Sequence, residues 1–303
     1  MRIATIDVGT NSTRLLIADV EGGSIKPLFK TGRVTRLGRG VRQTGRLSSE
    51  AIEATLSTLK EFKKLIEDFG AERVVVATTE AARLAENAEE FLRRVRELGF
   101  QIEILSDREE AELVFAANMK VFSPSGRAMT VDLGGGSTEV VYGTPSEVKF
   151  LKSLKFGVVF LYEKFLKGDP PTAEELRAME SFIREELLPI REVIGGSDFT
   201  VFAVGGTITS VVAMEEEMTV YRADVVHGYT VTSRMIDKWY SKLASLPVEE
   251  RKKVVGLEEN RADVIIPGLA FFKVFCELFG KERLTVSEVG LLYGLALREA
   301  ARC

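Results

Sequence analysis

The sequence predicts an α/β protein built from two related domains, and three observations carry that expectation. β-Branched apolar runs, such as Ile3-Ala4-Thr5-Ile6 and Arg73-Val74-Val75-Val76-Ala77, alternate with helical stretches such as 49–69, the pattern of sheets covered by helices. An eight-residue motif recurs. Ile6-Asp7-Val8-Gly9-Thr10-Asn11-Ser12-Thr13 matches Val131-Asp132-Leu133-Gly134-Gly135-Gly136-Ser137-Thr138 at aspartate, glycine, serine and threonine. Two such turns in register, each between apolar strands, point to a duplicated domain. Turn residues cluster at Ser123-Pro124-Ser125-Gly126 just before the second copy. A boundary there divides the chain into 1–123 and 124–303, with a last helix, 288–303, available to pack back on the first domain.

Composition narrows the class. With 303 residues the chain can bury a large core. A net charge of −4 argues against nucleic acid or an acidic membrane as partner. The two cysteines, Cys276 and Cys303, lack metal-type spacing, which fits a reducing compartment, and a single histidine rules out a histidine metal cluster. The N-terminus reads as a first strand rather than a signal peptide, and no apolar run approaches the ~18 residues of a membrane span. A cytoplasmic protein without membrane contact is expected.

The second copy of the motif is the stretch with most chemistry. Three glycines leave backbone N–H groups open, and Ser137 and Thr138 add hydroxyls, so Asp132–Glu139 can wrap an oxyanion. Asp132 and Glu139 place two carboxylates beside it, a layout suited to phosphoryl transfer with a divalent cation. The plainer alternative is an ordinary hairpin with a flexible tip.

Other segments also admit two readings. Arg33, Arg36, Arg39, Arg42 and Arg46 recur with no acid among them. They are either solvated charges on a sheet edge or a basic rim for a polyanion. Ser48 caps a helix to about Phe69, and Asn87 is expected to cap one to Leu98. Arg83, early in a helix after a strand, is placed to meet an anion or to make a surface ion pair. Ser106-Asp107 caps a helix whose start holds Asp107, Glu109, Glu110 and Glu112. These acids answer the helix dipole or work at the strands' carboxyl ends. Gly205-Gly206-Thr207 opens a helix as an anion cradle or as a close-packing point. His227 is a catalytic imidazole or a structural one in a turn. Thr172 caps a helix over 173–194. A long apolar helix is expected from Glu259 to Phe279, kinked at Pro267. Gly290 and Gly294 in the last helix permit close packing.

Taken together, Ile6–Leu15, Ala77–Arg83, Glu109–Leu113, Asp132–Glu139, Gly205-Gly206-Thr207 and Val226-His227-Gly228 resemble the exopolyphosphatase/guanosine pentaphosphate phosphatase (Ppx/GppA) family of the actin-like ATPase superfamily. The motifs run in order through essentially the whole chain, and the chain resembles the family's short two-domain form. The resemblance implies two actin-like (ribonuclease H-like) domains, with mixed β-sheets flanked by helices and a cleft between them. It implies Glu110 as the catalytic base toward water, with Asp132 and Glu139 as acids that hold Mg²⁺ or another divalent cation, joined by Asp7. Asn11, Ser12, Thr13, Arg14, Arg83, Gly134, Gly135, Gly136, Ser137, Thr138, Gly206 and Thr207 would receive phosphate. Two positions depart from the family pattern: Thr10 stands where serine is usual, and Glu112 where arginine is common.

The implied activity is removal of the terminal phosphate of inorganic polyphosphate, with guanosine pentaphosphate (pppGpp) as the alternative substrate. A kinase of the same fold and a non-catalytic polyphosphate or nucleotide sensor are the competing classes. Glu109 is the runner-up for the base. The sequence admits a homodimer without specifying one.

Overall fold

The computed structural model describes residues 1–195 and 198–302; Cys303, noted above, lies outside them. The chain forms two compact units, Met1–Phe122 joined by the segment from Val289 onward, and Ser123–Glu288.

The first unit begins with β1 (Arg2–Val8), β2 (Ser12–Glu21) and β3 (Ser24–Val34), followed by α1 (Val41–Thr44), α2 (Ser49–Asp68), β4 (Arg73–Thr78), α3 (Glu80–Leu84), α4 (Ala88–Glu97), β5 (Ile102–Ile104) and α5 (Asp107–Phe122). Its sheet order is β3-β2-β1-β4-β5. β1, β2 and β3 pair antiparallel, whereas β4 and β5 join in parallel after helical crossovers. Both faces of the sheet are covered, which explains the unbroken apolar runs. Ala4, Ile6, Val8, Leu15 and Ile17 pack with Phe62 and Phe91 of the helices, while Leu16 and Ala18 point the other way, onto Leu292.

The second unit repeats the plan with β6 (Ala128–Leu133), β7 (Thr138–Thr144), β8 (Glu147–Leu154), α6 (Val158–Phe165), α7 (Ala173–Ile194), β9 (Thr200–Val204), α8 (Gly206–Glu215), α9 (Ala223–Val226), β10 (Thr230–Thr232), α10 (Ser233–Ala244), α11 (Val248–Arg251), a 3-10 turn (Glu259–Arg261), α12 (Ile265–Phe279) and β11 (Arg283–Ser287). Its order, β10-β11-β9-β6-β7-β8, read in reverse from β8 to β11 reproduces that of the first sheet. The duplicated motif therefore marks a duplicated topology. The chain then returns to the first unit as α13 (Leu291–Ala300). Gly294 lets α13 approach α5: a Cβ there would stand 2.6 Å from the Leu113 carbonyl oxygen.

Two expected details differ. The helix expected over 259–279 starts only at Ile265, after a separate 3-10 turn. Pro267 thus falls in the first turn, where its missing N–H costs nothing, and not in a kinked interior. Asn87 does not cap α4 with its side chain. Its amide instead pairs with Leu47 on both sides, accepting from Leu47 N at 2.9 Å and donating to Leu47 O at 3.0 Å.

Thr172 does cap α7, closing a reciprocal box with Glu175. The Glu175 carboxylate also accepts from the Lys167 and Gly168 N–H groups at 2.8 and 3.0 Å. Backbone N–H donors at Thr172, Lys167 and Gly168 hold its pKa down at about 2. A depressed carboxylate pKa contributes stability at neutral pH that is lost on acidification. Glu175→Gln is therefore expected to be less stable than wild type at pH 6. The gap should close as pH falls from about 4.5 to about 2. Urea midpoints measured across that range check it; a gap independent of pH contradicts the linkage.

Candidate active site

Each unit carries one glycine hairpin. In the first, Asp7 on β1 lies opposite Arg14 on β2. The turn between them closes with Gly9 N–H donating to Ser12 O at 3.0 Å. In the second, Asp132 on β6 lies opposite Glu139 on β7, and Gly134 N–H donates to Ser137 O at 3.0 Å. Directly opposed residues share a sheet face. The two copies therefore differ in charge at one matched place, with acid facing base in one and acid facing acid in the other.

Both turns have their carbonyls engaged from outside. In the first, Thr35 and Arg36 N–H donate to Asn11 O at 3.2 and 2.9 Å, and Gly38 N–H donates to Thr10 O at 2.9 Å. In the second, Val158 and Val159 N–H at the start of α6 donate to Gly134 O at 3.0 Å and Gly135 O at 2.8 Å. Carbonyl oxygens repel an anion, so engaging them elsewhere biases a turn toward presenting its N–H groups. The tight approach of Gly157 makes the second arrangement possible: a Cβ there would sit 2.6 Å from Gly135 O.

The hydroxyls divide in kind. Thr13 is fully buried against Thr35, 2.9 Å between oxygens, and buried Thr138 donates to Phe156 O at 2.7 Å. These two side chains fasten the hairpins to their surroundings. Ser12 accepts from Arg14 Nε at 3.1 Å, which steadies that guanidinium beside the turn.

At the carboxyl end of β4, buried Glu80 pairs with Arg42. Arg83 is held by Leu105 O and Asp107, and by Glu110 Oε2 at 3.4 Å. The structure thus brings the expected base and one expected phosphate ligand together, both largely shielded, with side chains 14% and 19% exposed. It also sorts the crowded acids at the start of α5. Glu109 accepts from Ser106 N–H at 2.9 Å and from its hydroxyl at 2.6 Å, while Ser106 Oγ accepts from Glu109 N–H at 3.2 Å. This is a capping box, and the Ser106 hydroxyl and N–H hold the Glu109 carboxyl below the usual range. Glu112 pairs with Arg108 at 2.7 Å. Glu109 and Glu112 are occupied with the helix itself; Glu110 is turned to Arg83.

The third glycine turn packs onto the second hairpin. Gly205 has φ +110, and a Cβ there would meet Leu133 O at 2.6 Å, so close packing is satisfied at this position. A Cβ on Gly206 would overlap the guanidinium of Arg261, a residue with no local signal to single it out, since Glu258-Glu259-Asn260-Arg261 reads as an ordinary charged turn. Thr207 is buried against Gly268 of α12. His227 Nδ1 accepts from Glu288 N–H at 3.3 Å, a turn-holding bond.

No group of three or more histidine, cysteine, aspartate or glutamate residues able to hold a metal exists among the described residues. The facing pair Asp132–Glu139 nevertheless fits a hydrated divalent cation of the Mg²⁺ type, which takes one or two carboxylates and completes its shell with water and phosphate oxygens. Glu139 is buried, and Ser153 Oγ donates to its Oε1 at 2.9 Å, which fixes one oxygen. Asp7 faces a guanidinium position instead, a less suitable ligand environment.

Two α/β units of matching strand order, each with a strand–glycine turn–strand hairpin, form a duplicated α/β architecture suited to phosphoryl-transfer chemistry. A model of the Ppx/GppA phosphatase family matches residues 16–302. The chain is 35% identical to exopolyphosphatase 2 of Mycobacterium tuberculosis over 98% of each chain. It is 32% identical to the guanosine-5'-triphosphate,3'-diphosphate pyrophosphatase of Vibrio vulnificus, covering 97% of this chain and 58% of that one. A crystal structure of the Aquifex aeolicus member of the family superposes with a TM-score of 0.85 at 41% identity, over 100% of this chain and 98% of that one. The chain belongs to the Ppx/GppA phosphatase family and is a phosphoanhydride hydrolase with the actin-like fold. No helix of the described residues is long and apolar enough to cross a membrane.

Proposed function

We propose that the chain removes the terminal phosphate of inorganic polyphosphate, with guanosine pentaphosphate as the alternative substrate. Coverage carries the order of preference. The exopolyphosphatase relative and this chain match over 98% of each, whereas the guanosine pentaphosphate relative extends well past the match, only 58% of it being covered.

In this reading Glu110 takes the proton from the attacking water. Arg83, beside it, orients the carboxylate and is available to phosphate oxygens. In the second unit the N–H groups of Gly135, Gly136 and Ser137, with Gly206 and Thr207 as further expected contacts, would receive phosphate oxygens; in the first unit Asn11, Ser12 and Arg14 would do so. Asp132 and Glu139 would hold the divalent cation, which when bound would neutralise charge on the phosphate oxygens; Asp7, opposite Arg14, is the weaker of the expected ligands. The transition state of such a hydrolysis is loose and its charge lies on the phosphoryl oxygens. Positioned donors and one base therefore suffice, without a covalent intermediate.

The test is phosphate release from long-chain polyphosphate and from pppGpp, each with Mg²⁺ and after chelation. Release from polyphosphate, abolished by chelator and restored by Mg²⁺, is the expected result. Release from pppGpp alone moves the assignment to the alternative. Undiminished release under chelation removes the cation from the reading.

A further inference from the structure

The segment from Thr35 to Gly40 has a role that neither the fold nor the proposed chemistry uses. It is a strap across the first glycine turn. Three of its N–H groups bond to Thr10 and Asn11 carbonyls, and its threonine hydroxyl is buried against Thr13. Gly38 lies so close to the turn that a Cβ would overlap the Thr10 methyl and stand 3.1 Å from the Ala81 Cβ. Leu37 is fully buried. Arg36 takes φ +51, a left-handed conformation that few non-glycine residues adopt and that surroundings must enforce. Beyond it the chain is pinned again where Arg42 meets buried Glu80. Such a segment is tied to the turn it covers.

Its charges are unequal in their commitments. Arg33 pairs with Glu61, Arg42 with Glu80, and Arg46 stands 4.0 Å from Glu86. Most of the arginine series is thus answered by acids within the unit, and the idea of a uniform basic rim contracts. Arg39 differs. It follows Gly38 directly, its N–H bonds to Arg36 O at 3.0 Å, and its side chain is exposed. Among the described residues no acid is set against its guanidinium. A rigid backbone within one residue of an oxyanion turn, carrying an uncompensated guanidinium, is suited to a further phosphate oxygen by charge-assisted hydrogen bonding.

We propose that Arg39, held by the Thr35–Gly40 strap, is a chain-length determinant: it binds a phosphate of a linear polyphosphate beyond those held at the turn itself. The proposal rests on the polyphosphate reading of the same site and adds to it where the rest of the chain is gripped. Rigidity matters because a guanidinium on a fixed backbone loses less entropy on binding than one on a mobile loop.

The test measures equilibrium binding and phosphate release for long-chain polyphosphate and for tripolyphosphate, with wild type, Arg39→Glu, Arg39→Gln and Arg46→Glu. Arg46→Glu makes the same charge change on the same segment but off the strap. Arg39→Glu is expected to weaken long-chain binding about tenfold or more, to leave tripolyphosphate within about twofold, and to reduce the salt dependence of long-chain binding. Arg39→Gln should fall between it and wild type. Equal effects of Arg39→Glu and Arg46→Glu would show general attraction and overturn the proposal, as would equal losses on long and short substrates. If wild type binds and hydrolyses long-chain polyphosphate while Arg39→Glu matches it, only the strap assignment fails. If wild type neither binds nor hydrolyses polyphosphate, the substrate reading fails and takes the strap assignment with it.

Discussion

Replacing Glu110 by glutamine is expected to lower turnover by about 10²–10⁴-fold, the usual contribution of a positioned proton acceptor. Glutamine keeps the side chain's shape and a carbonyl oxygen for Arg83, 3.4 Å away in the native pair. The α5 backbone, where Glu110 N–H donates to Ser106 O at 3.0 Å, has no reason to change. The loss should therefore fall on turnover, with thermal stability close to wild type. Glu109→Gln is the matched control. That carboxylate closes the cap of α5, so its replacement is expected to cost about 1 kcal/mol or less of stability and little turnover. Steady-state phosphate release and thermal melts on both variants separate the roles. Equal loss of turnover in the two, or near wild-type release from Glu110→Gln, would remove Glu110 as the base.

Gly157→Ala is expected to act through space. Its φ of −140 is open to any residue, so backbone preference is not the issue. The added methyl would lie 2.6 Å from both C and O of Gly135. Either the second glycine turn shifts or the start of α6 withdraws, and both outcomes break the bonds from Val158 and Val159 N–H. A displacement of about 1 Å at a reacting group can cost about 10²-fold in rate, and overpacking costs about 1–3 kcal/mol. Turnover should fall by about two orders of magnitude, with a measurable drop in melting temperature. Gly126→Ala, where a Cβ meets nothing within 4 Å, should leave both unchanged. Full activity and an unchanged melting temperature in Gly157→Ala would show that the turn tolerates displacement.

What the sequence made legible was local and repeated. The hairpins at Asp7–Thr13 and Asp132–Glu139 could be read because glycine, aspartate and hydroxyl residues fall at fixed offsets between apolar strands, and the shared strand order followed from the repeat. The cap of α7 was equally readable, since Thr172 and Glu175 lie three residues apart. What stayed hidden depends on residues far apart in sequence. Nothing local shows that Gly38 closes on Thr10, that Arg261 lies over Gly206, or that Glu110 rather than Glu109 turns to Arg83. The start of α12 differs from the sequence expectation because Glu259–Arg261 closes as a separate 3-10 turn, and nothing in its residue types marks that break before Ile265. The arginine series looked uniform because its acidic partners, Glu61, Glu80 and Glu86, come from other elements.

The return of α13 has a consequence for how the molecule is made. Ser123–Glu288 is one continuous stretch, so every residue of its unit is present once Glu288 has been translated. The first unit is still incomplete at that point. Thr5 Oγ1 donates to Leu292 O at 3.0 Å, Asn118 Nδ2 donates to Val289 O at 2.7 Å, and Leu16 and Ala18 are covered by Leu292. All of these wait for residues translated after the whole second unit. At about 5–20 residues per second, the first sheet stands with one apolar face uncovered for on the order of ten to thirty seconds. The half of the protein synthesised first is thus the half completed last. During translation, that face is where a chaperone would have most to protect.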